Sequence, residues 1–158
     1  MDYETDKWIC TVFNLRTITS EALLGEPALE GVHSDGVDHT MTTLLKHNNM
    51  TNDSAKTFIH SMKEVNSTKW SDTNPEYLLG THQHLNYLDT LIIVDHERKH
   101  SLSPVHAVNQ DKEALRDMLI FFTRKPTTES HVSYPYDSKE SHPDYPINLK
   151  LPELELNV

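Results

Sequence analysis

Glu30-Gly31-Val32-His33-Ser34-Asp35-Gly36-Val37-Asp38, running into the extended-looking Val37 to Leu45 (V-D-H-T-M-T-T-L-L), is the stretch on which the reading of this chain turns. Side chains alternate along a strand, so His33 and Asp35 point the same way where the segment is extended. Two imidazoles and one carboxylate on one face of a metal leave the opposite face open. That geometry suits Fe(II) that must take a co-substrate and O₂ together. The second imidazole is expected from a distant strand, at His100, and a guanidinium follows at Arg116. An H-x-D pair is weak by itself, because the chain holds 11 histidines among its 158 residues. Its flanks strengthen it.

Further strands are expected on both sides of this stretch. Trp8 to Ile18 is rich in β-branched and aromatic residues, and Lys56 to His60 is another short candidate. Leu88 to Val94 and Leu115 to Thr123 are the strongest apolar runs and read as central strands buried on both faces. Lys46 to Ser54 is turn-rich, and one short helix is expected around Ser61–Val65. Many short strands with little helical periodicity predict a mainly β domain, a sandwich or jelly roll. From Lys125 the composition changes to Pro and Tyr, and Pro excludes a regular sheet interior. The expected division is a core of residues 1–125 and a Pro/Tyr-rich extension of 126–158, packed on the core or flexible.

The block around His33, the block Asp95-His-Glu-Arg-Lys-His-Ser-Leu-Ser-Pro-Val105 and the run Arg116-Asp-Met-Leu-Ile120 together resemble a known family. It comprises the 2-oxoglutarate/Fe(II) dioxygenases that hydroxylate free amino acids, of the isoleucine 4-hydroxylase-like kind. The likeness runs from about Trp8 to Phe122. It implies a double-stranded β-helix of cupin-like shape with few helices, Fe(II) held by His33, Asp35 and His100, and 2-oxoglutarate held at its distal carboxylate by Arg116. Succinate and CO₂ would be released as a C–H bond is hydroxylated. Because Asp35 stands where a halogenase has a small residue, hydroxylation is expected over halogenation. Family members usually carry an N-terminal lobe before the first strand, so the resemblance also implies a shortened N-terminus.

Arg116 sits inside an apolar run, on the strand face of Met118, Ile120 and Phe122. A buried guanidinium must be paired, and its planar fork matches a carboxylate. The anion is either the co-substrate or a structural partner such as Asp89 or Asp95. Thr43 and Thr57 are candidate hydroxyl donors beside it. An amino-acid substrate needs an acceptor for its ammonium and a cation for its carboxylate, and Asp38 and Arg98 are the candidates. His47, His60, His82, His84, His131 and His142 are assigned to the surface by default.

Two rival readings stand beside this one. His96-Glu97-Arg98-Lys99-His100 satisfies H-E-x-x-H, a zinc hydrolase motif that requires a helix. A non-catalytic cupin-like binding or assembly module is the other. The net charge of −10 argues against nucleic acid. No apolar run approaches the roughly 18 residues that a membrane span needs. The single cysteine, Cys10, excludes an internal disulfide and is expected to be buried. A cytoplasmic enzyme is expected, with a small amino-acid substrate and O₂ as partners, and with a homodimer left open.

Overall fold

A computed structural model describes residues 7–132 and 134–137. Among the described residues seven strands form: β1 (Ile9–Thr19), β2 (His39–Asn48), β3 (Thr57–Ser61), β4 (Leu78–His82), β5 (Thr90–Val94), β6 (Arg98–Leu102) and β7 (Ala114–Arg124). They pair antiparallel in two sheets, β1-β7-β2-β5 and β4-β3-β6. Two 3-10 turns, Pro75–Tyr77 and Tyr134–Tyr136, are the helical elements among the described residues. This is the expected mainly β jelly roll. No helix among the described residues is long and apolar enough to cross a membrane.

The chain separates into two compact units, Met1–Lys125 and Pro126–Val158. In the second, Asp137 accepts hydrogen bonds from the Thr127 amide and hydroxyl, both at 3.0 Å. Most of the Pro/Tyr-rich stretch, including Pro143, Tyr145, Pro146 and Pro152, lies outside the described residues.

β7 is central, paired with β1 on one side and with β2 on the other. Its alternation sends Arg116, Met118, Ile120 and Phe122 inward to line a cavity whose other wall comes from β3 and β6. At one end of the core, Met50, Ala55, Val105 and Ala114 pack together, all nearly inaccessible to water.

Several expectations are corrected. β5 is an edge strand, with only Ile93 fully buried, so its apolar run marks one-sided packing. No helix forms at 61–65. There the Glu64 carboxylate accepts the amides of Val65 and Asn74, at 2.9 and 2.8 Å, folding the chain back as a turn. β4 and β6 are strands that hydrophobic alternation does not reveal, because β4 is largely exposed and β6 (R-K-H-S-L) is polar. Cys10 is exposed. His60 and His84 are buried: His60 packs against the Ser101 hydroxyl at 2.9 Å, and His84 donates to the Thr42 carbonyl at 3.0 Å.

Candidate metal centre and its cavity

His33 and Asp35 lie in the loop between β1 and β2 rather than within a regular strand, and His100 lies on β6. What unites them is one β-bridge. His33 N–H donates to the His100 carbonyl at 2.9 Å, and His100 N–H returns a bond to the His33 carbonyl at 3.0 Å. That reciprocal pair sets the two imidazoles side by side, with ring centroids 4.2 Å apart. Asp35 reaches both: Oδ1 is 3.6 Å from His33 Nε2, and Oδ2 is 3.9 Å from His100 Nε2. The donor atoms of the three all lie within 4.8 Å of one another.

This donor set fits a divalent iron. Cis donors roughly 2.1 Å from an octahedral metal lie roughly 3 Å apart, so closing the cluster onto an ion takes shifts of under about 1 Å. His33 Nδ1 is committed to the Gly31 carbonyl at 2.8 Å. That bond holds the proton on Nδ1 and leaves the Nε2 lone pair facing the cluster. The Thr40 hydroxyl donates to Asp35 Oδ2.

Electrostatics prepares the same site. Burial works against ionising Asp35, but the nearby His33 imidazole, the Thr40 hydroxyl and the His100 imidazole outweigh it and hold its pKa below the usual carboxylate range. Burial also opposes protonation of His33, yet Asp35, the Gly31 carbonyl and Glu30 together raise its pKa. His100 is the more deeply enclosed. Its desolvation, with His33 beside it, pushes its pKa down to about 4, so it stays a neutral ligand.

Sequence reasoning missed the residue that shapes this loop as a metal-site element. Asp95, 2 % exposed, aims its carboxylate at three consecutive backbone amides: Asp35 and Gly36 at 2.8 Å and Val37 at 3.2 Å. This is an amide nest closed around an anion. Asp95 opens the second motif block, directly after the apolar run of β5, and that placement was the available signal. Gly31, at φ 74°, is the other fixed point, because a Cβ there would collide with the Thr68 carbonyl. An Asp95→Asn protein is expected to keep its fold but to bind Fe(II) roughly 10–100-fold more weakly, as residues that orient ligands typically do when changed. Equilibrium iron titration with a competing chelator measures it.

The cavity between the sheets has a volume of about 160 Å³ and is lined by all three cluster residues and Arg116, among otherwise mostly apolar side chains. Arg116 is 2 % exposed, and its Nε has no hydrogen-bond partner. Burial alone lowers its pKa, to about 10. Neither expected structural anion serves it: Asp95 holds the nest, and Asp89 accepts the amides of Leu85 and Asn86 at 2.8 and 2.7 Å. Thr57 lines the cavity, whereas Thr43 is bonded to the Thr90 hydroxyl at 2.9 Å and does not.

Asp38 and Arg98 lie outside this lining. The Asp38 carboxylate accepts the Lys125 amide at 2.8 Å, and exposed Arg98 donates to the Glu97 carbonyl at 2.6 Å. The zinc motif has no helix to stand on. His96 and Glu97 occupy an exposed turn, and His100 lies on a strand with its ring turned to Asp35.

Buried His84 adds a pH response. Burial and then the charge of Arg116 depress its pKa from 6.5 to about 4. A depressed folded-state value means that the neutral ring's contribution is complete above 6.5 and is lost as pH falls toward 4. His100 titrates with the same sign and over a similar range. Denaturant melts between pH 7 and 4.5 are therefore expected to show falling stability, with a shallower fall in His84→Gln.

Comparison with known proteins gives a consistent picture. Residues 1–122 match the family described as 2OG-Fe dioxygenase. The bifunctional enzyme flvA of Aspergillus flavus is 46 % identical over 151 residues, which make up 96 % of this chain and 18 % of that protein. The solved structure of the Fe(II)/α-ketoglutarate-dependent dioxygenase TqaL is similar at a TM-score of 0.72 and 53 % identity, over 81 % of this chain and 46 % of that one. IDO from Bacillus thuringiensis, at a TM-score of 0.57 and 15 % identity over 74 % of this chain and 48 % of that one, shares the fold. This chain thus spans under a fifth of the curated relative and under half of the TqaL chain.

Proposed function

The chain belongs to the 2OG-Fe dioxygenase family, and from that premise we propose that it is an Fe(II)- and 2-oxoglutarate-dependent dioxygenase that hydroxylates a free L-amino acid or a similarly small amine acid, its core of residues 1–125 carrying the chemistry. The observation that supports this most is a single cavity holding both a two-histidine, one-carboxylate cluster and a buried guanidinium with no carboxylate partner among the described residues. The amino-acid substrate rests on the isoleucine 4-hydroxylase-like motif blocks.

His33 Nε2, His100 Nε2 and the Asp35 carboxylate would hold the iron. When bound, Fe(II) supplies an open face for 2-oxoglutarate and O₂ and the redox capacity that couples release of succinate and CO₂ to C–H hydroxylation. The chain's own residues do the rest. Arg116 pairs with the distal carboxylate of 2-oxoglutarate, a buried anion meeting a buried cation that otherwise stands alone. Thr57, in the same lining, offers a hydroxyl to the cavity. Asp95 and Gly31 hold the loop so that His33 and Asp35 need little rearrangement on binding metal. The apolar walls exclude water, which strengthens each of these charge contacts.

The test is spectroscopic and then chemical. Anaerobic addition of Fe(II) and 2-oxoglutarate is expected to produce a metal-to-ligand charge-transfer absorbance, and air with an amino-acid panel is expected to yield succinate only when iron is present. Iron affinity with no succinate from any amino acid would instead select a binding module.

A further inference from the structure

Five ionisable side chains line the cavity. His33, Asp35 and His100 form the donor cluster, and Arg116 is assigned to the co-substrate. Glu30 is the fifth. Its Oε1 lies 3.3 Å from His33 Nε2, the atom through which His33 would bind iron. Asp35 Oδ1 is 3.6 Å from that same nitrogen. The carboxylate outside the cluster thus approaches His33 as closely as the one inside it.

Octahedral spacing says what that position is. Cis donors lie roughly 3 Å apart, and trans donors, at twice a bond of roughly 2.1 Å, lie roughly 4 Å apart. Glu30 Oε1 already stands near cis distance from His33 Nε2. It falls outside the group whose donors all lie within 4.8 Å of one another, so it is set away from at least one of the other two ligands. In a facial triad each open position is cis to two ligands and trans to the third. Glu30 therefore flanks an open position and not the closed face.

The backbone under it is pinned. Gly31 follows at φ 74° against Thr68, and Val32 exchanges backbone hydrogen bonds of 2.8 Å with Thr68 and Ser67. The Glu30 side chain is 54 % exposed and pairs with His33 as an ion pair. That pair needs a proton on His33 Nε2, and the same lone pair cannot hold both a proton and a metal. Once a cation takes the place of the proton, the Glu30 carboxylate faces the cation. Charge then decides when it stays. A divalent ion with Asp35, Glu30 and Arg116 leaves one positive charge. Doubly ionised 2-oxoglutarate turns that into one negative charge, and withdrawal of Glu30 into water brings the sum to zero.

We propose that Glu30 is a fourth, displaceable ligand of the metal: its carboxylate occupies one of the open positions while co-substrate is absent and gives it up when 2-oxoglutarate binds. Glu30 has this role only if the cavity holds iron and 2-oxoglutarate as proposed above. The open face is then closed by the chain itself until the co-substrate arrives.

Glu30→Gln, in the full chain and without air, separates the two halves. With iron alone, chelator competition is expected to show an affinity lower by roughly tenfold or more, the scale on which partners at a metal site act. With iron loaded, the charge-transfer absorbance is expected to saturate at severalfold lower 2-oxoglutarate than in the wild type, because no carboxylate has to leave. A merely disturbed loop would weaken both. Cobalt(II) in place of iron reports the coordination itself. Its visible spectrum without co-substrate should differ between wild type and variant, and the difference should vanish once 2-oxoglutarate is added.

Equal iron affinities, or iron and 2-oxoglutarate affinities that fall together, overturn the ligand role and leave the oxygenase standing. Cobalt spectra that already coincide without co-substrate overturn it as well. Absence of the charge-transfer absorbance from the wild type overturns the oxygenase reading and the displacement with it, and the cobalt spectra without co-substrate distinguish that result from failure of the ligand role.

Discussion

Asp35→Ala and His100→Ala are each expected to abolish the Fe(II)–2-oxoglutarate absorbance and to bring succinate formation down to background. The expected loss exceeds the roughly 10–100-fold that changes to ligand-orienting residues cost, because two donors cannot close one face of the metal. Both side chains are well enclosed, with Asp35 12 % and His100 8 % exposed. Each also sits in a network that depends on the other: Asp35 touches both imidazoles, and His100 shares its bridge with His33. Iron should raise the melting temperature of the wild type, since a ligand that binds only the folded state stabilises it, and should leave the two variants unmoved. Retained iron-dependent succinate formation in either variant would refute the centre.

Arg116→Met is expected to separate binding from stability. Removing one partner of a buried ion pair costs about 3–5 kcal/mol, which is roughly a hundred- to several-thousandfold in affinity. The KM for 2-oxoglutarate should rise by at least about a hundredfold, with iron affinity little changed. Without co-substrate the guanidinium is desolvated, and its pKa is lowered to about 10 by burial alone. Replacing a lone buried charge with an apolar chain of similar volume is often neutral or stabilising. The melting temperature of the variant without ligand should therefore equal or exceed that of the wild type, while the increment that 2-oxoglutarate produces disappears. A destabilised variant with an unchanged KM would make Arg116 a structural residue.

Parts of the molecule were legible from residue order alone. β1, β2, β3 and β7 carry β-branched and aromatic residues whose alternation follows from the two-residue period of a strand, and their observed spans lie within a few residues of the expected ones. His33, Asp35, His100 and Arg116 were legible because their chemistry is unusual for their surroundings and because their blocks resemble a family. β6 was not, since Arg98, Lys99, His100 and Ser101 are all polar and leave Leu102 as its lone apolar residue. Glu30 lay in plain view within the quoted motif, but nothing local distinguishes a carboxylate facing a cavity from one facing water.

The linear order of residues determined on its own the donor types, the carboxylate two places after the histidine, the strand periodicity and the family to which the chain belongs. Only the tertiary structure decided that His33 and His100 meet through a reciprocal backbone bridge, that Asp95 organises the metal loop instead of pairing with Arg116, and that β5 is an edge. The reason is physical. Periodicity and motif spacing are local properties, whereas the partner of a buried charge is set by pairing between segments far apart in the chain. Asp89 and Asp95 stood beside a co-substrate as candidates for Arg116 until the two aspartates were found bonded to backbone amides.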